Sequence, residues 1–162
     1  MGACLDVLRG RGSILAGVTF PIRWPGNGIS MPYLAYGGTE FPDPLTSCPG
    51  YDAPSGPPIY LMIDPNGTAP SVTAHSFMQG SAPIEHCVFD ETRYTNPDSY
   101  SQSLGRAVLG MRSAIILMPR NPLTPGASYT VSITTNGQTY TWSFTVESRY
   151  RPSITLPGAL VQ

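Results

Sequence analysis

The sequence predicts an all-β protein, an antiparallel β-sandwich preceded by a Pro/Gly-rich N-terminal extension. Three observations carry that expectation. Seventeen glycines and eighteen prolines together exceed a fifth of the 162 residues, so turns and short extended segments must dominate. Short apolar or alternating runs recur between Ile59 and Val146, each closed by turn residues. One of those turns, Asn136-Gly137, is the strongest two-residue hairpin signal, because both positions tolerate positive φ. Proline spacing alone excludes coiled coils and helical solenoids.

Residues 4–8 read as a short strand ending at Arg9-Gly10-Arg11-Gly12, and residues 14–24 as another ending at Pro25-Gly26-Asn27-Gly28. From Met31 to Pro58 the breakers are too dense for any long element, and the run reads as a wrapping extension or linker. Ile59 to Ile63 is a five-residue apolar run stopped by Asp64-Pro65-Asn66-Gly67, a strand and its turn. Ser71 to Met78 alternates, with Val72, Ala74, Ser76 and Met78 opposed to Thr73, His75 and Phe77. Pro83 to Phe89 is a further strand, Asp90 to Leu104 a polar stretch with a loop at Asn96-Pro97-Asp98, and Ala114 to Met118 a buried strand closed by Pro119.

Around Asn136-Gly137 a two-residue turn pairs Thr135 with Gln138, Ile133 with Tyr140, Val131 with Trp142 and Tyr129 with Phe144. All the large apolar residues then share one face, and threonines and serines share the other. A one-residue slip would mix the two sets. The hairpin's apolar face needs a second layer, which the other strands supply. The expected organisation is residues 1–12 as a residual strand of a preceding domain, 13–50 as the extension, 51–147 as the sandwich and 148–162 as a tail.

Charged residues make up only 12 % of the chain, the net charge is −1, and every one of the nine basic residues is arginine. With no basic run, an electrostatic grip on nucleic acid or on an anionic membrane is excluded. No apolar stretch reaches the roughly 18 residues of a membrane span. The polar, uncharged style suits an extracellular protein. Met1 is followed by Gly-Ala-Cys-Leu-Asp-Val-Leu without a basic leader, so no signal sequence is read here. The expectation is therefore a piece of a larger secreted protein. Cys4, Cys48 and Cys87 match no zinc or redox spacing. A bridge between Cys48 and Cys87 would be worth roughly 3–4 kcal/mol in the chain-entropy model. The alternative is two buried free thiols acting as small hydrophobes.

Leu123-Thr124-Pro125-Gly126-Ala127-Ser128-Tyr129 resembles the corner motif of fibronectin-III-like and bacterial Ig-like domains. There the proline and glycine set a turn, while the tyrosine packs inward and its hydroxyl reaches backbone. Gln138 to Val146 resembles the closing strand of the same domains. The order of Tyr36-Gly37-Gly38-Thr39-Glu40-Phe41-Pro42-Asp43-Pro44-Leu45, Cys48-Pro49-Gly50-Tyr51 and this unit resembles the region after the CAP domain of bacterial extracellular proteins. CAP denotes the superfamily of cysteine-rich secretory, antigen 5 and pathogenesis-related proteins. The resemblance implies an Ig-like sandwich whose partner is a neighbouring CAP domain. The histidines and glutamates that line the CAP cleft have no counterpart here.

Chemistry-bearing groups are sparse. Glu85-His86-Cys87 is the densest cluster, but neighbours on a strand point to opposite faces, which is wrong for a nucleophile and its base. His75 and His86 as metal ligands would need a third partner that the sequence does not name. No catalytic residue, cofactor or metal is expected, and the reading is a non-enzymatic accessory or spacer module. The rival reading is a carbohydrate- or cell-wall-binding module, in which Trp24, Tyr33, Tyr36 and Phe41 of the extension stack on sugar rings.

Overall fold

The structure, a computed structural model, describes residues 18–148. The strand expected at residues 4–8, the 1–12 remnant and all but the first residue of the 148–162 tail lie outside that range. In chain order the elements are β1 (Ile22–Trp24), β2 (Ser30–Met31), a 3-10 turn (Pro44–Ser47), β3 (Ile59–Met62), β4 (Val72–Gln79) and β5 (Ala82–Pro83). Then come β6 (His86–Phe89), α1 (Ser99–Arg112), β7 (Ala114–Pro119), β8 (Ser128–Thr135) and β9 (Gln138–Val146). The strands form a four-stranded sheet, β1-β3-β7-β6, and a five-stranded sheet, β2-β9-β8-β4-β5.

The β8–β9 hairpin has the register its alternation demands, with Val131 opposite Trp142 and Tyr129 opposite Phe144. Asn136 and Gly137 both take positive φ, 51° and 77°, as this turn requires. Trp142, Tyr129, Phe144, Val131 and Ile133 are all buried. They meet Ile59 and Leu61 of β3 and Ile115 and Leu117 of β7 in one apolar core between the sheets. The outward face is finished by hydroxyl pairs bridging the strands: Ser128–Thr145, Thr130–Ser143, Ser132–Thr141 and Thr134–Thr139, at 2.8–3.1 Å. At the corner before β8, the Tyr129 hydroxyl accepts from the Thr124 backbone N–H at 2.8 Å, with Gly126 at φ 76°. That is the contact the corner motif implies.

Four sequence expectations need correction. The single alternation read across residues 71–78 breaks between Val72 and Ala74, where a bulge shifts the register. The bulge turns Val72 to the side of Phe77, so both are buried. The single strand expected at 83–89 divides, because β5 turns back on β4 while β6 joins the other sheet. The polar stretch after Asp90 keeps its loop at Asn96-Pro97-Asp98, but from Ser99 it belongs to α1, a helix the sequence reading lacks. The Asp98 side chain caps its first turn by accepting from Ser101 N–H at 2.7 Å. Ser113, at φ 44°, closes its last turn. Its buried face is Ser101, Gly105 and Leu109, one residue per turn, and Gly105 lets the Tyr94 ring lie against the helix where a Cβ would overlap it.

The fourth correction concerns the boundary at residue 51. The segment read as an extension supplies an edge strand to each sheet: β1 runs antiparallel to β3, and β2 runs parallel to β9. Between them Gly28 N–H donates to the Ser143 carbonyl at 2.7 Å, and the Asn27 side chain accepts from Ser143 N–H at 3.1 Å. The chain from Pro32 onward then crosses the outer face of the four-stranded sheet. There Tyr36, Leu45 and Cys48 join Phe89, Tyr94, Leu109, Ala114 and Met118 in a second apolar cluster. The four-stranded sheet is thus covered on both faces, and β7 (Ala-Ile-Ile-Leu-Met-Pro) is apolar throughout for that reason.

Candidate functional site

The wrap is held to the sheet covalently. Cys48, in the turn after Pro44–Ser47, is disulfide-bonded to Cys87 on the outer face of β6. Next to that tie, Asp43 accepts from Leu45 N–H at 2.9 Å and from the Tyr36 hydroxyl at 3.1 Å. The Tyr36 hydroxyl itself accepts from Glu40 N–H at 3.1 Å. Tyr36 also exchanges two backbone hydrogen bonds with Ser55, at 2.9 and 3.2 Å. Its phenol is pushed up to about 12, chiefly by burial, against the backbone hydrogen bond from Glu40 and with the help of the Asp43 charge. Tyr36 is therefore a rigid, neutral wall.

That wall bounds a cavity of about 330 Å³, completed by Trp24, Tyr33, Thr39, Glu40 and Pro57. Trp24 ends β1 opposite Tyr60, and their rings stack with centroids 6.4 Å apart and planes 24° apart. Tyr33 stands at the rim, 58 % exposed. Three of the four extension aromatics thus converge. Phe41 does not: it is 71 % exposed and does not line the cavity. The strip of four envisaged from sequence is replaced by a cleft with one buried wall, one stacked wall and one exposed ring at the mouth. Besides the aromatic residues, its polar lining residues are Thr39 and Glu40. Such a cleft can hold a flat, hydroxylated ring by stacking while offering an acceptor to its hydroxyls.

A second cavity, about 290 Å³ and almost wholly apolar, lies where Val108, Leu109 and Arg112 of α1 lean over Tyr60, Met62 and Ile116. The polar side chains among its lining residues are those of Arg112 and Tyr60.

The two histidines, weighed in the sequence as metal ligands lacking a third partner, meet. His75 Nδ1 lies 2.8 Å from His86 Nε2, and His86 Nδ1 lies 2.6 Å from the Ile84 carbonyl oxygen. Burial, then His86 and Arg93, hold His75 below the ordinary imidazole range. Glu85 points the other way and pairs with Arg120 at 2.7 Å on the surface. The Glu85-His86-Cys87 run is split accordingly: Cys87 goes to the wrap and His86 to the space between the sheets.

No helix among the described residues is long and apolar enough to cross a membrane. Comparison with family models, curated proteins and solved structures returns no match to this chain.

Proposed function

We propose that this chain is a non-catalytic extracellular accessory module, of the kind that follows a CAP domain in secreted bacterial proteins. The observation that carries this reading is the Cys48–Cys87 disulfide, which fastens the wrap over the outer face of the sheet. Bonds of this kind persist in oxidising compartments. The opposite outer face ends in neutral hydroxyl pairs. The unit is thereby finished on both sides and suited to hold a neighbour at a fixed distance. Fractionation of the producing cells tests this. Recovery outside the cytoplasm, with Cys48 and Cys87 resistant to alkylation, is expected; a cytoplasmic chain with both thiols labelled overturns it.

The aromatic cleft favours a second reading, carbohydrate or cell-wall binding by the same module. Trp24, Tyr33 and Tyr36 carry it, and Phe41 drops out. Sedimentation with insoluble polysaccharides and with peptidoglycan decides the question. Retention of the native protein on one of them, lost in Trp24→Ala and kept in Phe41→Ala, supports the reading. No retention on any, or equal retention of Trp24→Ala, refutes it.

A further inference from the structure

We propose that His75 and His86 form a binding site for one imidazole-seeking divalent transition cation, with water completing its coordination shell. The two rings come from different sheets. His75 on β4 stands opposite Ile133, and His86 on β6 opposite Pro119, so both face the space between the sheets at its open edge. The Phe77 ring lies edge-on to His86 with centroids 6.1 Å apart, so the core itself backs the imidazole.

The two ring nitrogens stand at the spacing of a chelate. His75 Nδ1 and His86 Nε2 are 2.8 Å apart. Two imidazole nitrogens each bound at about 2.0–2.1 Å and at right angles around one ion lie about 2.9 Å apart. The tautomers follow from the partners. The Ile84 carbonyl can only accept, so His86 carries its proton on Nδ1 and presents the Nε2 lone pair to His75. A backbone carbonyl fixing the far nitrogen is the usual support of a metal-ligating histidine. In the neutral pair, His75 Nδ1–H donates to that lone pair. Transfer of this proton through water to His75 Nε2, with no net change in protonation, frees the Nδ1 lone pair, and rotation of the exposed His75 ring then brings both lone pairs onto one ion. His75 is exposed, which gives the ion and its waters a way in.

The surroundings set the affinity and the choice of ion. No third His, Cys, Asp or Glu joins the pair among the described residues. Arg93 is the nearby cation, its guanidinium donating to the Val72 carbonyl at 3.1 Å, and Glu85 is engaged by Arg120. With nitrogen donors and no carboxylate, the pair selects late first-row ions over magnesium and calcium.

The test uses the tag-free chain and Ni²⁺, an ion that suits imidazole donors. The chain has only two histidines, so their ring resonances are assigned by the single variants. Calorimetry should show one Ni²⁺ per chain, and Ni²⁺ should broaden both ring signals together. His75→Ala and His86→Ala should each weaken binding at least tenfold, with an unchanged far-ultraviolet spectrum. Ring signals of the native protein that stay sharp at saturating Ni²⁺, or a single variant that binds as tightly as the native chain, overturn the proposal. The ring measurement needs no variant, so it decides even if one fails to fold.

Discussion

Trp142 offers the sharpest test of the packing, because two of its features pull in opposite directions. Its side chain is 2 % exposed and lies in the inter-sheet core, opposite Val131. Yet its indole N–H is buried without a hydrogen-bond partner among the described residues. Trp142→Ala removes the whole ring and leaves a cavity, for an expected loss of about 3–5 kcal/mol. Trp142→Phe keeps most of the ring. The lost atoms cost about 2 kcal/mol at roughly 0.8 kcal/mol per methylene-sized group. Removing an unpartnered buried N–H returns about 1–3 kcal/mol. The two terms nearly cancel, so Trp142→Phe should lie within about 1 kcal/mol of the native protein. Urea unfolding followed by circular dichroism measures both variants, and an unchanged slope shows that only stability moved. A Trp142→Ala loss below about 1 kcal/mol would sink the core assignment. A Trp142→Phe loss equal to that of Trp142→Ala would show that the N–H is satisfied.

Reducing the Cys48–Cys87 bridge, which spans 39 residues of sequence, should cost roughly 4 kcal/mol; a Cys48→Ser/Cys87→Ser double variant as stable as the native protein would contradict this. Gly105→Ala should destabilise by up to about 2 kcal/mol, the overpacking cost of about 1–3 kcal/mol against Tyr94 less the helix-propensity gain of about 1 kcal/mol; a more stable variant in thermal melting would show that the ring yields. The Tyr36 phenol, neutral in the fold up to about 12 against 10.0 for a free side chain, favours folding below pH 10, and that contribution is lost as the pH rises through 12. Absorbance titration at alkaline pH should show late-titrating tyrosine, reduced by one residue in Tyr36→Phe, with Tyr51, also pushed up by burial, present in both; if both proteins titrate alike, the phenol is not buried as described.

What the sequence reveals and what it hides follow from which atoms carry each element. The β8–β9 register is readable because large and hydroxyl side chains alternate without exception from Tyr129 to Thr134 and from Thr139 to Val146. β7 is readable as a buried run because both of its faces are covered. α1 is not readable, because it packs through Ser101 and Gly105 as much as through Leu109, and small residues leave no hydrophobic period. The aromatic cluster shows as composition, but burial sorts its members. Tyr36 goes inside with its hydroxyl satisfied by Asp43 and Glu40, while Phe41 stays outside. The histidine pair is invisible in one dimension because it depends on how two sheets meet.

The wrap carries the consequence for function. Strands of three and two residues fit between prolines and glycines that forbid anything longer, so a segment dense in breakers still enters both sheets. The aromatic cleft is therefore mounted on the sandwich rather than hung from it. Trp24 is fixed by pairing to β3 and by stacking on Tyr60. Tyr36 is fixed by Ser55 and Asp43, and the Cys48–Cys87 bond anchors the chain a few residues beyond. Each wall of the cleft is held by contacts that do not involve a ligand. A ring entering it would meet two walls already in place, and only Tyr33, exposed at the rim, would lose side-chain freedom on binding. Ordering one such side chain costs about 0.5–1.5 kcal/mol, which a single stacked ring offsets.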